Sequence, residues 1–302
     1  MHRTESPLKL QVVASPTVPI AIGGTFSPTT ATILTGPTEA VLVDTLFAPA
    51  DVERLAEAIT ATGKKLTTIY ITHAHFDHYF GLGTLLARFP DARGVALAPV
   101  AEFVTETHEL NCGLASQWLA GNIVDADALP EPLAEETIVL DGHELQPIEI
   151  GQADIAHNTV LHAPSIGAVV AGDIVYNGVH QMLGVSQPGD WPQWIESVEK
   201  LAALNPRVVV AGHKRPDTAD DDIHEILYGT QAYIAAFIDE LDQAEDAAAL
   251  ILRMTERFPD RINLPTLEFS AAAGIRHRRT APTPGSTDDQ ARVSRPRRAP
   301  AR

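Results

Sequence analysis

Four side chains that commonly bind divalent metals lie within one run of six residues: His73, His75, Asp77 and His78. The run follows residues 66–72, which are mostly apolar or β-branched and are predicted to form a strand. Imidazoles and a carboxylate that converge at a strand end would repel one another or lose their hydration, unless a cation stabilises them. On extended backbone, the spacing of His73 and His75 points both rings the same way. The run therefore predicts a metal site.

The composition restricts which atoms could hold that metal. Cys112 is the single cysteine, which excludes both an internal disulfide framework and a multi-thiolate metal site. The ligands must therefore be nitrogen and oxygen atoms, and histidine is the commonest nitrogen ligand at neutral pH. With 302 residues, 45% of them hydrophobic and 20% charged, the chain is predicted to be globular with a substantial core.

The distribution of charge argues against nucleic acid as a partner. The formal net charge is -17, although residues 276–302 hold eight arginines and two aspartates and are locally basic by +6. The remainder, at about -23, would repel a phosphate backbone, so a small-molecule substrate is expected. Segment 276–302 is predicted to be a disordered, solvated tail, with an arm for an anionic partner as the alternative.

No stretch of the sequence approaches the roughly 20 consecutive apolar residues that span a bilayer. Residues 1–24 also lack an apolar run behind basic residues, which a secretory signal would have. We therefore expect a cytoplasmic protein with no membrane contact. The sequence leaves the oligomeric state open.

Strand-like and helix-like patterns alternate along the chain, which predicts the α+β class. Apolar or β-branched runs predict strands at residues 10–14, 30–34, 40–43, 66–72, 137–140, 145–150, 159–162, 168–171 and 208–210. Apolar spacing of the helical kind predicts helices at residues 51–62, 190–204, 220–242 and 246–257. Two similar halves of this kind predict two mixed sheets packed face to face with helices outside, within one domain of residues 1–258 whose C-terminal helices occupy 220–258. Residues 100–125 and 181–190 are interpreted as loops that set the substrate.

The run His73-Ala74-His75-Phe76-Asp77-His78 resembles the His-x-His-x-Asp-His signature of the metallo-beta-lactamase superfamily, and the resemblance extends over roughly residues 8–245. It implies the αβ/βα sandwich of that family, with four layers. It also implies that His73 and His75 bind a first metal, and that Asp77 and His78 bind a second.

Three further short segments resemble the family in the expected order. Asp44, at the end of Val41-Leu42-Val43-Asp44, is similar to the buried aspartate that supports the metal loop. Asp173, in Ala171-Gly172-Asp173, resembles the carboxylate that bridges the two metals. His213, after Gly212, resembles the last histidine of the second metal site.

One position departs from the family pattern. The family places a histidine just before a strand, and counting back from Asp173 to that position reaches Asp154. Counting back from Pro164, which closes the following strand, reaches the same residue. Asp154 is therefore the preferred third ligand of the first metal, and His157 is the alternative. With Asp154 the site is richer in oxygen, and it could accept iron or manganese as well as zinc.

The resemblance implies a metal-dependent hydrolase that holds two zinc ions and uses a metal-bridging hydroxide to cleave a small ester, lactone, thioester or amide. Asp77 would orient the hydroxide and carry a proton to the leaving group. Tyr176 would donate to the oxyanion, because lactone-cleaving relatives carry a tyrosine near the site. It could instead simply pack beside the metal loop.

Two other activities remain open alternatives. A persulfide-dioxygenase-like oxidoreductase would hold a single iron with two histidines and one aspartate. His73, His75 and Asp154 would form a similar set, so this class stays open. A nuclease is disfavoured by the acidic body of the protein.

Overall fold

The computed structural model describes residues 8–21 and 23–280. The strands are β1 (Lys9–Ala14), β2 (Val18–Pro19), β3 (Thr25–Phe26), β4 (Thr30–Thr35), β5 (Glu39–Val43), β6 (Lys65–Tyr70), β7 (Arg93–Ala96), β8 (Glu131–Pro132), β9 (Ile138–Leu140), β10 (His143–Gly151), β11 (Asn158–Ala163), β12 (Ala168–Val170), β13 (Tyr176–Asn177), β14 (Val208–Val210) and β15 (His213–Lys214). The helices are α1 (Pro49–Ala61), α2 (Phe76–Tyr79), α3 (Leu82–Arg88), α4 (Ala98–Leu119), α5 (Trp191–Ala202), α6 (Ile223–Gln243), α7 (Ala247–Arg257) and α8 (Leu264–Thr280).

The larger sheet has the strand order β1-β4-β5-β6-β7-β8. β1, β4 and β5 are antiparallel neighbours, whereas β5, β6, β7 and β8 run parallel. The carboxyl ends of parallel strands meet at one edge of a sheet. The residues that follow β5 and β6, namely Asp44 and the histidine run, therefore lie at the same edge.

The second sheet has the order β14-β12-β11-β10-β9. Its neighbours are antiparallel except for β12 and β14, which pair in parallel with Val170 opposite Val210. The chain segments that leave β12 and β14 consequently emerge side by side. These segments carry Asp173 and His213.

The central strands are buried on both faces, which explains why β5, β12 and β14 are almost continuously apolar. Between the sheets lies one core, to which the first sheet contributes Val43 and Tyr70 and the second contributes Leu161 and Val170. The outer face of the first sheet packs against α1 to α4, and the outer face of the second packs against α5 to α8. The order of layers is helix, sheet, sheet, helix, so the predicted four-layer αβ/βα sandwich is confirmed.

The interpretation of residues 100–125 as a loop is wrong, because most of this segment belongs to α4. The helix buries Val100, Val104, Ala115 and Leu119 at helical spacing. Between Val104 and Ala115 the buried face carries only Asn111. The apolar pattern is therefore too weak there to predict a helix from sequence.

Helix α8 lies beyond residue 258, where the sequence predicts the end of the domain. Leu267, Ala271 and Ile275 are buried and belong to the same core as α6 and α7. Residues 276–280, the first five of the expected tail, form the last part of this helix, because burial of its preceding turns stabilises it. Residues 281–302 lie outside the described part of the chain. Among the described residues, no helix is long and apolar enough to cross a membrane.

Candidate metal centre

The predicted ligands all lie in segments that follow strand ends at one edge of the sandwich. His73 and His75 lie in the loop between β6 and α2, and the short helix α2 carries Asp77 and His78. The remaining three ligands come from the second half of the chain: Asp154 between β10 and β11, Asp173 after β12, and His213 at the start of β15. The sheet topology therefore brings together residues that are far apart in sequence.

The first ligand group consists of His73, His75, Asp154 and Asp173, each of which offers one ligand atom within 4.8 Å of the others. Nδ1 of His75 lies 3.0 Å from Oδ2 of Asp154, and Nε2 of His73 lies 3.8 Å from Oδ2 of Asp173. Three of the side chains are buried, and His75 is 20% exposed. This group has two nitrogen and two oxygen donors.

The second ligand group consists of Asp77, His78 and His213, with ligand atoms that again lie within 4.8 Å of one another. Nε2 of His78 lies 3.3 Å from both Oδ2 of Asp77 and Oδ1 of Asp173. Nε2 of His213 lies 3.2 Å from Oδ2 of Asp173. Asp173 therefore touches both groups, as expected of a bridging carboxylate.

Several buried atoms of the centre have no hydrogen-bond partner among the described residues: Nε2 of His73, Nε2 of His78, Oδ2 of Asp154 and Oδ1 of Asp173. Buried polar atoms without partners are rare and costly in folded proteins. A divalent cation in each ligand group would satisfy these nitrogen and oxygen atoms. The donor set suits zinc, iron or manganese.

Contacts on the far side of the imidazole rings fix their orientation. Nδ1 of His78 lies 2.8 Å from Oδ2 of Asp44, whose Oδ1 accepts a hydrogen bond from the amide of Thr72. Nδ1 of His73 lies 3.0 Å from the hydroxyl of Thr72. With Nδ1 engaged in this way, each ring directs Nε2 into the centre. Such contacts raise the basicity of a metal ligand and fix its tautomer.

The β3–β4 connection supports the second ligand group in the same way. Thr29 donates a hydrogen bond of 2.9 Å from its hydroxyl to Oδ2 of Asp77. Nδ1 of His213 lies 3.1 Å from the carbonyl oxygen of Pro28. Thr29 is absent from the residues predicted from sequence, because a threonine 48 residues before its partner carries no local signal.

Mutual electrostatic effects shift the pKa values of the ligands. Burial lowers the pKa of His75, but the adjacent Asp154 carboxylate outweighs burial and raises this pKa to about 9. Burial and then the neighbouring His78 lower the pKa of His73. Burial would raise the pKa of Asp173, but His213 and His78 hold it well below its usual range. Metal binding requires unprotonated ligands, so a bound cation would displace the proton that the raised pKa of His75 favours.

Two glycines permit the close approach of the segments that carry the ligands. Gly172 has φ of +51°, in the left-handed region that favours glycine, and a Cβ there would lie 2.8 Å from the hydroxyl of Thr72. A Cβ on Gly212 would collide with the Asp173 carboxylate and lie 2.7 Å from the carbonyl carbon of Gly172. These contacts explain why one glycine directly precedes Asp173 and another directly precedes His213.

The structure brings Asp154 into the centre and leaves His157 outside it. Asp154 is fully buried, whereas 46% of the His157 side chain is exposed. The His157 ring packs against Phe103 at a centroid distance of 5.7 Å, with Nδ1 3.5 Å from Glu149. This arrangement agrees with the preference for Asp154 as the third ligand of the first metal.

Tyr176 is buried beside the centre and donates a hydrogen bond of 2.8 Å to Oδ2 of Asp173. Its ring stacks on His213, with centroids 5.3 Å apart and planes 17° apart. Burial and then the charge of Asp173 raise the pKa of the phenol well above its usual value, which keeps it protonated. The hydroxyl therefore donates to the Asp173 carboxylate in this structure.

A cavity of about 60 Å³ lies against both ligand groups. Its polar walls include His75, Asp154, Asp173 and Tyr176. Its apolar walls are formed by Phe26, Phe76, Leu114, Trp118, Met182 and Val185. Met182 and Val185 belong to segment 181–190, which is expected from sequence to border the substrate.

Trp191, Trp194 and His180, in the second half of the chain, lie away from this cavity. Trp191 and Trp194 are fully buried in the core formed with α5 to α8, where they act as hydrophobic anchors. His180 is buried with Nδ1 2.9 Å from the hydroxyl of Tyr233. It therefore supports the core and lines neither the ligand groups nor the cavity.

Comparison with known proteins agrees with this geometry. A family model for the metallo-beta-lactamase superfamily matches residues 24–213. A hydroxyacylglutathione hydrolase from Acidiphilium cryptum is 30% identical over 172 residues, which are 55% of this chain. The match spans 58% of that relative, less than two thirds of its length.

Solved structures share the fold at low sequence identity. A metallo-beta-lactamase family protein from Thermus thermophilus is 21% identical with a TM-score of 0.62, covering 89% of this chain and 93% of that chain. A beta-lactamase domain protein from Burkholderia ambifaria is 16% identical with a TM-score of 0.59, covering 89% of this chain and 84% of that chain. Since the family match covers more than half of the sequence and includes every predicted ligand, the chain belongs to the metallo-beta-lactamase superfamily.

Proposed function

We propose that this protein is a hydrolase that uses two divalent cations to cleave a small ester, lactone, thioester or amide. The observation that carries the proposal is the position of Asp173, whose carboxylate belongs to the first buried ligand group and also lies within 3.3 Å of His78 and His213 in the second. When bound, such a pair of cations supplies Lewis-acid chemistry, because it polarises a carbonyl group and lowers the pKa of water toward about 7.

The residues of the chain then divide into two sets of ligands. His73, His75 and Asp154 hold the first cation, and Asp77, His78 and His213 hold the second, with Asp173 shared between them. The unpartnered buried atoms of the centre support this assignment. Zinc is the preferred metal, and the two carboxylates of the first group leave iron and manganese as candidates.

Asp77 and Tyr176 are the residues proposed to act on protons. The Thr29 hydroxyl fixes one oxygen of Asp77, so the carboxylate is held in place to orient the attacking water and to pass a proton to the leaving group. Tyr176 keeps its proton and holds Asp173. Because its ring also borders the cavity, its hydroxyl can turn from Asp173 toward a developing oxyanion.

The relative named hydroxyacylglutathione hydrolase supports hydrolysis of an acyl group, and we therefore include acyl thioesters among the substrates to test. A single-iron oxidoreductase would need only one group of ligands. The second group, Asp77, His78 and His213, is buried and assembled, which favours two cations over one.

The proposal is tested by loading metal-free protein separately with zinc, manganese and iron, counting metal ions per chain, and assaying esters, lactones, thioesters and amides. We expect two ions per chain and hydrolysis of at least one of these classes. Asp173→Asn should lose both properties, whereas Asp242→Asn on an exposed part of α6 should retain them. One iron per chain together with oxygen consumption would contradict the proposal.

A further inference from the structure

A second cavity, of about 240 Å³, adjoins the cavity at the metal centre. The two cavities share Phe26, Trp118, Met182 and Thr266 as walls. The walls that belong to the second cavity alone include Ile20, Pro265 and Phe269. A molecule that reaches the ligand groups can therefore extend directly into the second cavity.

The volumes indicate which part of a substrate each cavity could hold. The cavity at the metal centre, at about 60 Å³, has room only for a compact group such as a carbonyl and its neighbouring atoms. The second cavity is four times larger. An apolar protein cavity of about 150 Å³ is already large enough for a benzene molecule. The larger substituent of a substrate must therefore occupy the second cavity.

The walls favour an apolar, uncharged substituent. Aromatic and aliphatic side chains dominate them, and no lysine or arginine lines either cavity within the described residues. The charged residue of the second cavity is Glu268, which is exposed at its rim. A carboxylate or phosphate substituent would meet this acidic group and no compensating cation.

The first turns of α8 form the outer wall, and this helix lies beyond residue 213, where the family match ends. Phe269 packs edge-on against Trp118 with ring centroids 5.9 Å apart. It also packs against Gly184, where an added Cβ would lie 2.6 Å from the Phe269 ring. These contacts hold the wall in place beside the site.

We propose that the second cavity is a subsite for an alkyl or acyl chain of an uncharged substrate, and that α8 supplies the wall that selects chain length. The inference rests on the proposed function for the reaction, but binding of the chain can be measured without it. Ile20 and Phe269, which line the second cavity and not the cavity at the metal centre, are the residues that set its length.

Binding is tested with butanol, hexanol and octanol added to the metal-loaded protein. Trp118 lines the cavity, so a bound alcohol should change its fluorescence. Trp191 and Trp194 are buried elsewhere and should give a constant background. Burial of a methylene contributes about 0.8 kcal/mol, so affinity should rise about threefold to fourfold for each methylene until the cavity is full. Affinity that does not depend on chain length would overturn the proposal.

Substitution tests the same cavity. Ile20→Phe should fill it and lower octanol affinity about tenfold, whereas Leu252→Phe, on an exposed residue of α7, should not. If Ile20→Phe fails to fold, Phe269→Ala, which enlarges the cavity, should shift the preference toward longer chains. Unchanged chain-length preference in the folded variants would contradict the assignment.

A kinetic experiment separates the subsite from the proposed function. The ratio of kcat/KM for ethyl octanoate to that for ethyl acetate should fall about tenfold in Ile20→Phe and stay constant in Leu252→Phe. Hydrolysis of both esters without any chain-length preference would contradict the subsite proposal but support the hydrolase proposal. Alcohol affinity that depends on chain length, in a protein that cleaves no substrate, would support the subsite proposal but contradict the hydrolase proposal.

Discussion

Oδ2 of Asp44 lies 2.8 Å from Nδ1 of His78, and this contact turns Nε2 of His78 toward Asp77 and Asp173. Asp44 follows β5 directly and has φ of +60°, in the left-handed region that few residues other than glycine, asparagine and aspartate adopt. A sheet strand and a proposed metal ligand are therefore linked through one carboxylate.

Asp44→Asn tests this support. Asparagine tolerates the same backbone conformation but has no negative charge to stabilise the His78 ring. Loss of such a supporting contact typically weakens metal affinity about tenfold to a hundredfold. Competition with a chelator would measure the change. The control is Asp91→Asn, at a side chain that is 74% exposed and pairs with Lys65. Equal metal affinities in the two variants would contradict a supporting role for Asp44.

Asp154→Ala tests the departure from the family pattern. Removal of this carboxylate leaves the first group with His73, His75 and Asp173, so we expect the metal content to fall from two ions per chain to one. His157→Ala changes an exposed ring outside the centre and should keep both ions. The reverse outcome, with metal lost only from the His157 variant, would show that the ligand is misassigned.

Gly212→Ala tests the close packing of the segments that carry Asp173 and His213. The added methyl group would collide with the Asp173 carboxylate, so metal binding and hydrolysis should both be lost. Gly113→Ala is the matched control, because that glycine lies in α4 with no atom within 4 Å of an added Cβ. There alanine should stabilise the protein by up to about 1 kcal/mol in denaturant unfolding. Full metal content in Gly212→Ala would refute the packing argument.

His180 predicts a dependence of stability on pH. Burial and then the positive charge of Arg261 lower the pKa of His180 to about 4, whereas the unfolded chain has the ordinary value of about 6.5. Between these values the unfolded state binds a proton that the folded state does not, so stability falls as the pH is lowered from about 6.5 to about 4. Over this whole range, the titration of His180 should lower the free energy of unfolding by about 3 kcal/mol.

His180→Asn should flatten this part of the profile of unfolding free energy against pH, since asparagine does not titrate. The amide oxygen of asparagine can still contact the hydroxyl of Tyr233. The exposed His224→Asn serves as the control and should leave the profile unchanged. Parallel profiles for wild type and His180→Asn would contradict the prediction.

The parts of the centre that could be predicted from sequence are those encoded locally or by the family pattern. His73, His75, Asp77 and His78 form one run at a strand end, so their proximity needs no tertiary information. The family resemblance identifies Asp173 and His213, and the parallel pairing of β12 with β14 explains why they meet.

The remaining features depend on tertiary contacts. Thr29, between β3 and β4, pairs with His213 of β15 in an isolated bridge and reaches Asp77 from there, and nothing near Thr29 in sequence indicates this contact. The buried face of α4 includes Asn111, which donates to the carbonyl oxygen of Ala74. A helix whose buried face includes a polar residue has a weak apolar pattern, so the sequence predicts a loop where this helix forms a wall of the cavity.

Binding of two cations at the centre is tested most directly by a crystal structure of zinc-loaded protein with anomalous data collected at the zinc edge. We expect two anomalous peaks about 3.5 to 4 Å apart, one on each side of the Asp173 carboxylate. The first should lie among His73, His75 and Asp154, and the second among Asp77, His78 and His213. A single peak, or side chains turned away from an empty centre, would contradict this expectation.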